Sequence, residues 1–202
     1  MADEIEAHIR AEMALHGASE VDTLGFSMGG FGAIAFAERV PVRFALSMAP
    51  RYTPDPAIVH DKRLHKRLMP LSGRFPFATL DEGMARARAG LILTGTRGPD
   101  LPHMAETRPP KHVQRWLLPG VDHAVAKVLR DNGRLADVVL AALGPRDGDA
   151  PLAEAMTRAG AIPAARMPLA LRMQMIRQRA RTRYRRWKHQ RRPAALPAPQ
   201  TT

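Results

Sequence analysis

The chain has 202 residues, enough for one domain with a sizeable core, and a hydrophobic content of 45%, ordinary for a globular protein. It contains no cysteine, which excludes disulfides, thiolate metal sites and cysteine nucleophiles and suits a reducing compartment. The formal net charge of +12 is unevenly placed: residues 1–150 hold 19 basic and 18 acidic side chains, whereas residues 151–202 hold 12 basic ones and a single acid, Glu154.

The N-terminus, Met-Ala-Asp-Glu-Ile-Glu, lacks the basic and apolar regions of a signal peptide, and no apolar run approaches the ~20 residues of a membrane span. A cytoplasmic location is expected. Residues 3–16 carry Ile5, Ile9, Met13 and Leu15 among charges, close to i, i+4, i+8 spacing, which predicts a helix ending at His16-Gly17. Residues 21–26 read as a strand and 29–37 as a helix rich in small residues. Residues 42–48 read as a second strand, closed by Ala49-Pro50. Residues 51–85 are irregular, with prolines at 54, 56, 70 and 76 and one short basic amphipathic segment over 61–69. A third strand is expected at 91–96, a fourth at 113–118, and a helix over 124–143 weakened at Gly133. Strands alternating with helices indicate an α/β architecture, a mainly parallel sheet of about four strands flanked by helices. Residues 144–151 have linker composition, 152–192 form a basic helical tail with its longer helix near 168–189, and 193–202 are Pro/Ala-rich and expected to be disordered. No internal repeat is present.

Between the first strand and the first small-residue helix lies Gly25-Phe26-Ser27-Met28-Gly29, a G-x-S-x-G match in a strand–turn–helix context. A serine on such a bend has its hydroxyl pushed out where a base can reach it. Side chains at Gly25 or Gly29 are expected to collide across the bend, where positive φ can also be needed. A serine nucleophile needs a base to take its proton, and a histidine base needs an acid to hold its tautomer. Both should follow at strand ends. Asp100 is the only acid in the loop after the third strand. His123 closes Leu118-Pro119-Gly120-Val121-Asp122-His123 just before a helix. Asp122 adjoins this histidine and is the poorer orienter. A dinucleotide fingerprint would need glycine where Ser27 stands, and no G-K-[ST] phosphate loop occurs. No cofactor is expected. His60, Asp61 and His65 could suggest a metal site, but with so many nearby cations they read as a solvated face, so no metal is expected. His103 reads as pocket rim at best.

On these three motifs, residues 1–143 resemble the C-terminal two-thirds of an α/β-hydrolase, the fold of many esterases, lipases and peptidases. The resemblance implies Ser27 as nucleophile, His123 as general base and later acid, and Asp100 as its orienter. It also implies the Met28 backbone N–H as one oxyanion donor, an acyl or ester small molecule as substrate, and a cap-like role for the 51–85 insertion. Such enzymes normally place several strands before the elbow, and an early loop supplies a second oxyanion N–H. Here 26 residues precede Ser27, room for one helix and one strand. Loss of one oxyanion donor costs roughly 10²–10³ in rate, so impaired activity is expected. The elbow strand should be a sheet edge open to a partner or to self-association.

The tail allows a second reading, a catalytically inactive hydrolase-like module that binds through its basic helix. Leu169, Met173, Ile176, Ala180, Tyr184 and Trp187 form one helical stripe. Arg172, Arg177, Arg179, Arg181, Arg183, Arg185, Arg186 and Lys188 occupy the other faces. Such a helix, within 166–192, can pack its stripe on the domain, lie on an anionic membrane as a peripheral anchor, dock on a protein, or bind nucleic-acid phosphates.

Overall fold

The computed structural model describes residues 1–63, 65–144 and 150–190, with side chains through Lys188. In chain order it comprises α1 (Ala2–Leu15), β1 (Val21–Phe26), α2 (Met28–Ala35), β2 (Val42–Met48), α3 (His65–Leu68), α4 (Asp81–Arg86) and β3 (Gly90–Gly95). There follow α5 (Leu101–Glu106), β4 (Val113–Leu118), α6 (Val125–Asp131), α7 (Leu135–Leu143), α8 (Ala150–Arg158), β5 (Ile162–Pro163) and α9 (Leu169–Gln190). Residues 145–149, most of the expected linker, and 193–202 lie outside the described residues.

The protein is α/β, with a mostly parallel sheet of order β1-β2-β3-β4-β5 flanked by helices. The pairings from β1 to β4 are parallel and β4–β5 is antiparallel. The fifth strand, beyond the four expected, is two residues long and includes Pro163, so it has no periodicity to read. β3 is buried along its whole length and β2 along nearly all of its length, as suits strands covered on both faces. One face packs Phe44, Leu46, Leu91 and Leu93 against α6, α7 and α8. The other packs Ala45 and Ile92 against Phe31 and Ile34 of α2 and Met84 of α4.

One helix differs from expectation, and two others show what their sequences left open. The helix predicted over 124–143 is two helices, because Gly133 takes φ +65° and breaks it between α6 and α7. α1 buries none of its residues; Ile5 and Leu15 are exposed, and ion pairs from Arg39 to Asp3 and Glu6 tie the helix down. In α9 the stripe of Leu169, Met173, Ile176, Ala180, Tyr184 and Trp187 does not pack on the domain, for all six are exposed. The inward face is Leu171, Met175 and Thr182; Leu171 and Met175, with Met167, lie over Leu101, Met104 and Leu117.

α9 is bound to α5 by more than apolar contact. Arg179 Nε donates to the Ala105 carbonyl, and Arg115 of β4 donates to the Met104 and Thr107 carbonyls at 2.7 and 3.1 Å. These arginines satisfy carbonyls that the end of α5 leaves without helical partners. Burial, with the Arg179 charge nearby, pulls the Arg115 guanidinium down to about 10, so it stays charged at neutral pH.

Candidate active site

Ser27 sits between β1 and α2 with φ 58° and ψ −117°, a conformation that L-residues rarely adopt and that costs on the order of 1–3 kcal/mol. Its N–H donates to the Met48 carbonyl at 2.9 Å, which ties the bend to the end of β2. The close approach that permits the bend is at Gly25, where a Cβ would lie 2.0 Å from the Gly29 carbonyl oxygen. Gly29 itself faces open space, so the expected collision there is corrected. Gly30 is the second crowded position, with Met48 O and Ser47 Oγ each 3.0 Å from its would-be Cβ. Positive φ falls on the serine and on neither elbow glycine. The Met28 N–H lies in the first turn of α2, where helical N–H groups lack intrahelical acceptors and can meet a negative oxygen.

The loops after β3 and β4 are fastened to each other. The Arg97 N–H donates to the Val121 carbonyl at 3.0 Å, and the Gly120 N–H donates to Thr96 Oγ1 at 2.9 Å. The Asp122 carbonyl lies so close over Gly95 that a Cβ would come within 2.2 Å of its oxygen. This stacking brings the three expected residues together. His123 Nε2 is 2.9 Å from Ser27 Oγ, and His123 Nδ1 is 2.7 Å from Asp100 Oδ2. An ionised carboxylate only accepts, so Nδ1 carries the proton and Nε2 is free to accept the Ser27 O–H. Asp122 serves elsewhere: its Oδ1 accepts the Ala124 N–H at the start of α6. Phe26 packs its ring on the imidazole, with centroids 5.0 Å apart.

Asp100 is 3% exposed and its second oxygen is also occupied. Arg63, from the irregular 51–85 segment, donates from Nη2 to Asp100 Oδ1 at 2.9 Å and to Asp61 Oδ2 at 2.8 Å. Asp61 in turn pairs with the buried Arg51 guanidinium. His103 is 1% exposed, accepts the Tyr52 N–H on Nδ1 at 3.2 Å, and turns Nε2 toward Asp61 Oδ2 at 3.4 Å. Burial works against charge on Asp61, but the donors of His103 and Arg63 and the Arg51 charge outweigh it. They hold the carboxyl well below the usual carboxylate range. Burial lowers His103, whose Nδ1 is already occupied as an acceptor, so this ring stays neutral.

Two expectations change here. Asp61 is a buried ion-pair centre rather than part of a solvated face, and His103 is interior rather than pocket rim. His60 and His65 instead meet in a tilted ring contact, 4.2 Å between centroids, beside a cavity of about 290 Å³ also lined by Ile58, Met69, Thr182 and Arg185. Nothing in the sequence marks Arg63, Arg51 or Phe26. Arg63 precedes Asp100 by 37 residues within a segment that has no periodicity. Its order comes from Asp55, whose carboxylate accepts Ala57 N–H, Ser72 Oγ–H and Gly73 N–H at 2.8–2.9 Å. Comparison with known proteins finds no match for this chain among family models, curated proteins or solved structures.

Proposed function

We propose that the protein is a serine hydrolase of the α/β-hydrolase type that cleaves an ester or related acyl bond through a covalent acyl-enzyme. The observation that carries this reading is the continuous hydrogen-bonded chain Ser27 Oγ–His123–Asp100, with links of 2.9 and 2.7 Å on three separate strand ends. In this reading Ser27 Oγ attacks the acyl carbon as His123 Nε2 takes its proton. The Met28 N–H stabilises the oxyanion, and the imidazolium returns the proton to the leaving alcohol. Water then attacks the acyl carbon with His123 again as base, releasing the acid and restoring Ser27. Asp100 holds the histidine tautomer and offsets the imidazolium charge, and Arg63 fixes Asp100 from behind. Phe26, at the edge of the site, limits how far the imidazole can turn.

The test is hydrolysis of short p-nitrophenyl acyl esters by the full chain. The reading expects turnover that Ser27→Ala reduces by about 10⁴-fold or more. Equal rates for wild type and Ser27→Ala would refute it.

A further inference from the structure

α9 has two apolar faces, and the domain uses only one. Leu171, Met175 and Thr182 point inward and are 5–8% exposed, whereas Leu169, Met173, Ile176, Tyr184 and Trp187 are 45–74% exposed. At roughly 100° per residue, the outward set with Ala180 falls within an arc of about 80° on the side opposite the buried set. The Tyr184 and Trp187 rings stack at 5.9 Å near the C-terminal end of this stripe.

The cations are sorted in the same way. Arg179 and Arg186, on the inner side, donate to the Ala105 and Ile58 carbonyls. Arg172 and Arg183 border the outer stripe on one side, and Arg177, Arg181 and Lys188 border it on the other; all five are exposed. Among the described residues, Arg177, Arg181, Arg183 and Lys188 form no ion pair. Residues 166–190 contain nine basic side chains and no acidic one.

We infer that the outer face of α9 docks on an anionic phospholipid bilayer, with the helix lying in the interfacial plane. An aliphatic stripe between two rows of cations matches a surface whose acyl region lies just beneath negative headgroups. Interfacial Tyr and Trp suit the same boundary. No helix among the described residues is long and apolar enough to cross a membrane, so the contact is parallel to the surface. A nucleic acid would engage the cations but give no return for exposing Leu169, Met173 and Ile176. A second copy docking α9 against α9 would set cationic rows against each other with no acid in the segment to offset them. The docking face does not depend on the chemistry at Ser27.

Flotation of the full chain with vesicles tests this. Vesicles of phosphatidylcholine with about 30 mol% phosphatidylglycerol should bind at least tenfold more tightly than pure phosphatidylcholine, and binding should weaken as salt rises from about 0.1 to 0.5 M. Trp187 emission should shift to the blue on binding, while Trp116, already buried, stays constant. Met173→Glu/Ile176→Glu and, separately, Arg177→Glu/Arg181→Glu should each lower vesicle binding at least tenfold. Both pairs alter exposed residues, so circular dichroism should be unchanged. The inference is overturned if anionic vesicles do not bind, or if neutral and anionic vesicles bind equally. It is also overturned if the stripe variant binds as wild type does. RNA binding that survives the stripe variant without vesicle binding would assign the face to nucleic acid. Stripe-dependent self-association without vesicle binding would assign it to a second copy.

Discussion

The nucleophile and the acid of the candidate site are held in opposite ways. Ser27 follows the outermost strand of the sheet, beside the exposed side chains of Leu24, Phe26 and Met28, and its bend is set by the close approach of Gly25 to Gly29 and by one bond to the Met48 carbonyl of the adjacent strand. Asp100 is itself buried, although Arg97, Gly98 and Pro99 just before it are exposed, and its orientation depends on Arg63 and, through Arg63, on Asp61 and Arg51. The helix that follows it, α5, is held by α9 from the far end of the chain. The elbow is therefore a local construction on an open edge, and the acid a long-range construction in the interior. Changes to the first should act through backbone geometry, and changes to the second through electrostatics and orientation.

The largest contrast is within the elbow. Gly25→Val should destabilise the fold by about 4 kcal/mol or more, because its Cβ would overlap the Gly29 carbonyl. Gly29→Ala, with open space and an ordinary φ, should stay within about 1 kcal/mol of wild type in denaturant unfolding. Similar losses at both positions would break the account of the bend.

A smaller effect distinguishes the acid. Arg63→Met leaves one oxygen of Asp100 without its donor while sparing its contact with His123. Ester turnover should fall by about tenfold in kcat, the scale of one charge-assisted hydrogen bond, with KM little changed. Arg63→Lys should recover part of the loss. Unchanged kcat in Arg63→Met would show that Asp100 is held without Arg63.

The smallest effect is a slope in acid. The Asp61 carboxyl lies lower in the folded protein than its reference value of 3.8. On acidification the unfolded chain therefore takes up the proton first. The stability Asp61 contributes is complete above the unfolded value and is lost as pH falls toward the folded one. Chemical denaturation from pH 6 down to about pH 3 should show this decline, and Asp61→Asn should flatten it while lowering stability at neutral pH. A wild-type profile as flat as that of Asp61→Asn would remove the network from the account.

The same division explains what could be read from the sequence. β1, β2 and β4 have the expected bounds because apolar runs closed by glycine and proline carry their own signal. Ser27, Asp100 and His123 are legible because each stands at a strand end. Arg63 and Asp61 are not, since their partners are chosen by a loop whose path Asp55 fixes through backbone hydrogen bonds. The orientation of α9 was also hidden. Its inner face mixes Leu171 and Met175 with Thr182 and with arginines that bond to carbonyls, whereas the outer face has the longer unbroken apolar stripe. The more hydrophobic stripe is thus the one turned to solvent.

The proposal that the open elbow and the buried acid together form an acyl-transfer site is tested most directly by a fluorophosphonate probe, with the modified residue located by mass spectrometry. The account predicts a single adduct on Ser27, absent in Ser27→Ala and formed at least 10²-fold more slowly in His123→Ala, where no base activates the hydroxyl. A folded wild-type protein that remains unmodified, or one modified at a serine other than Ser27, would contradict it.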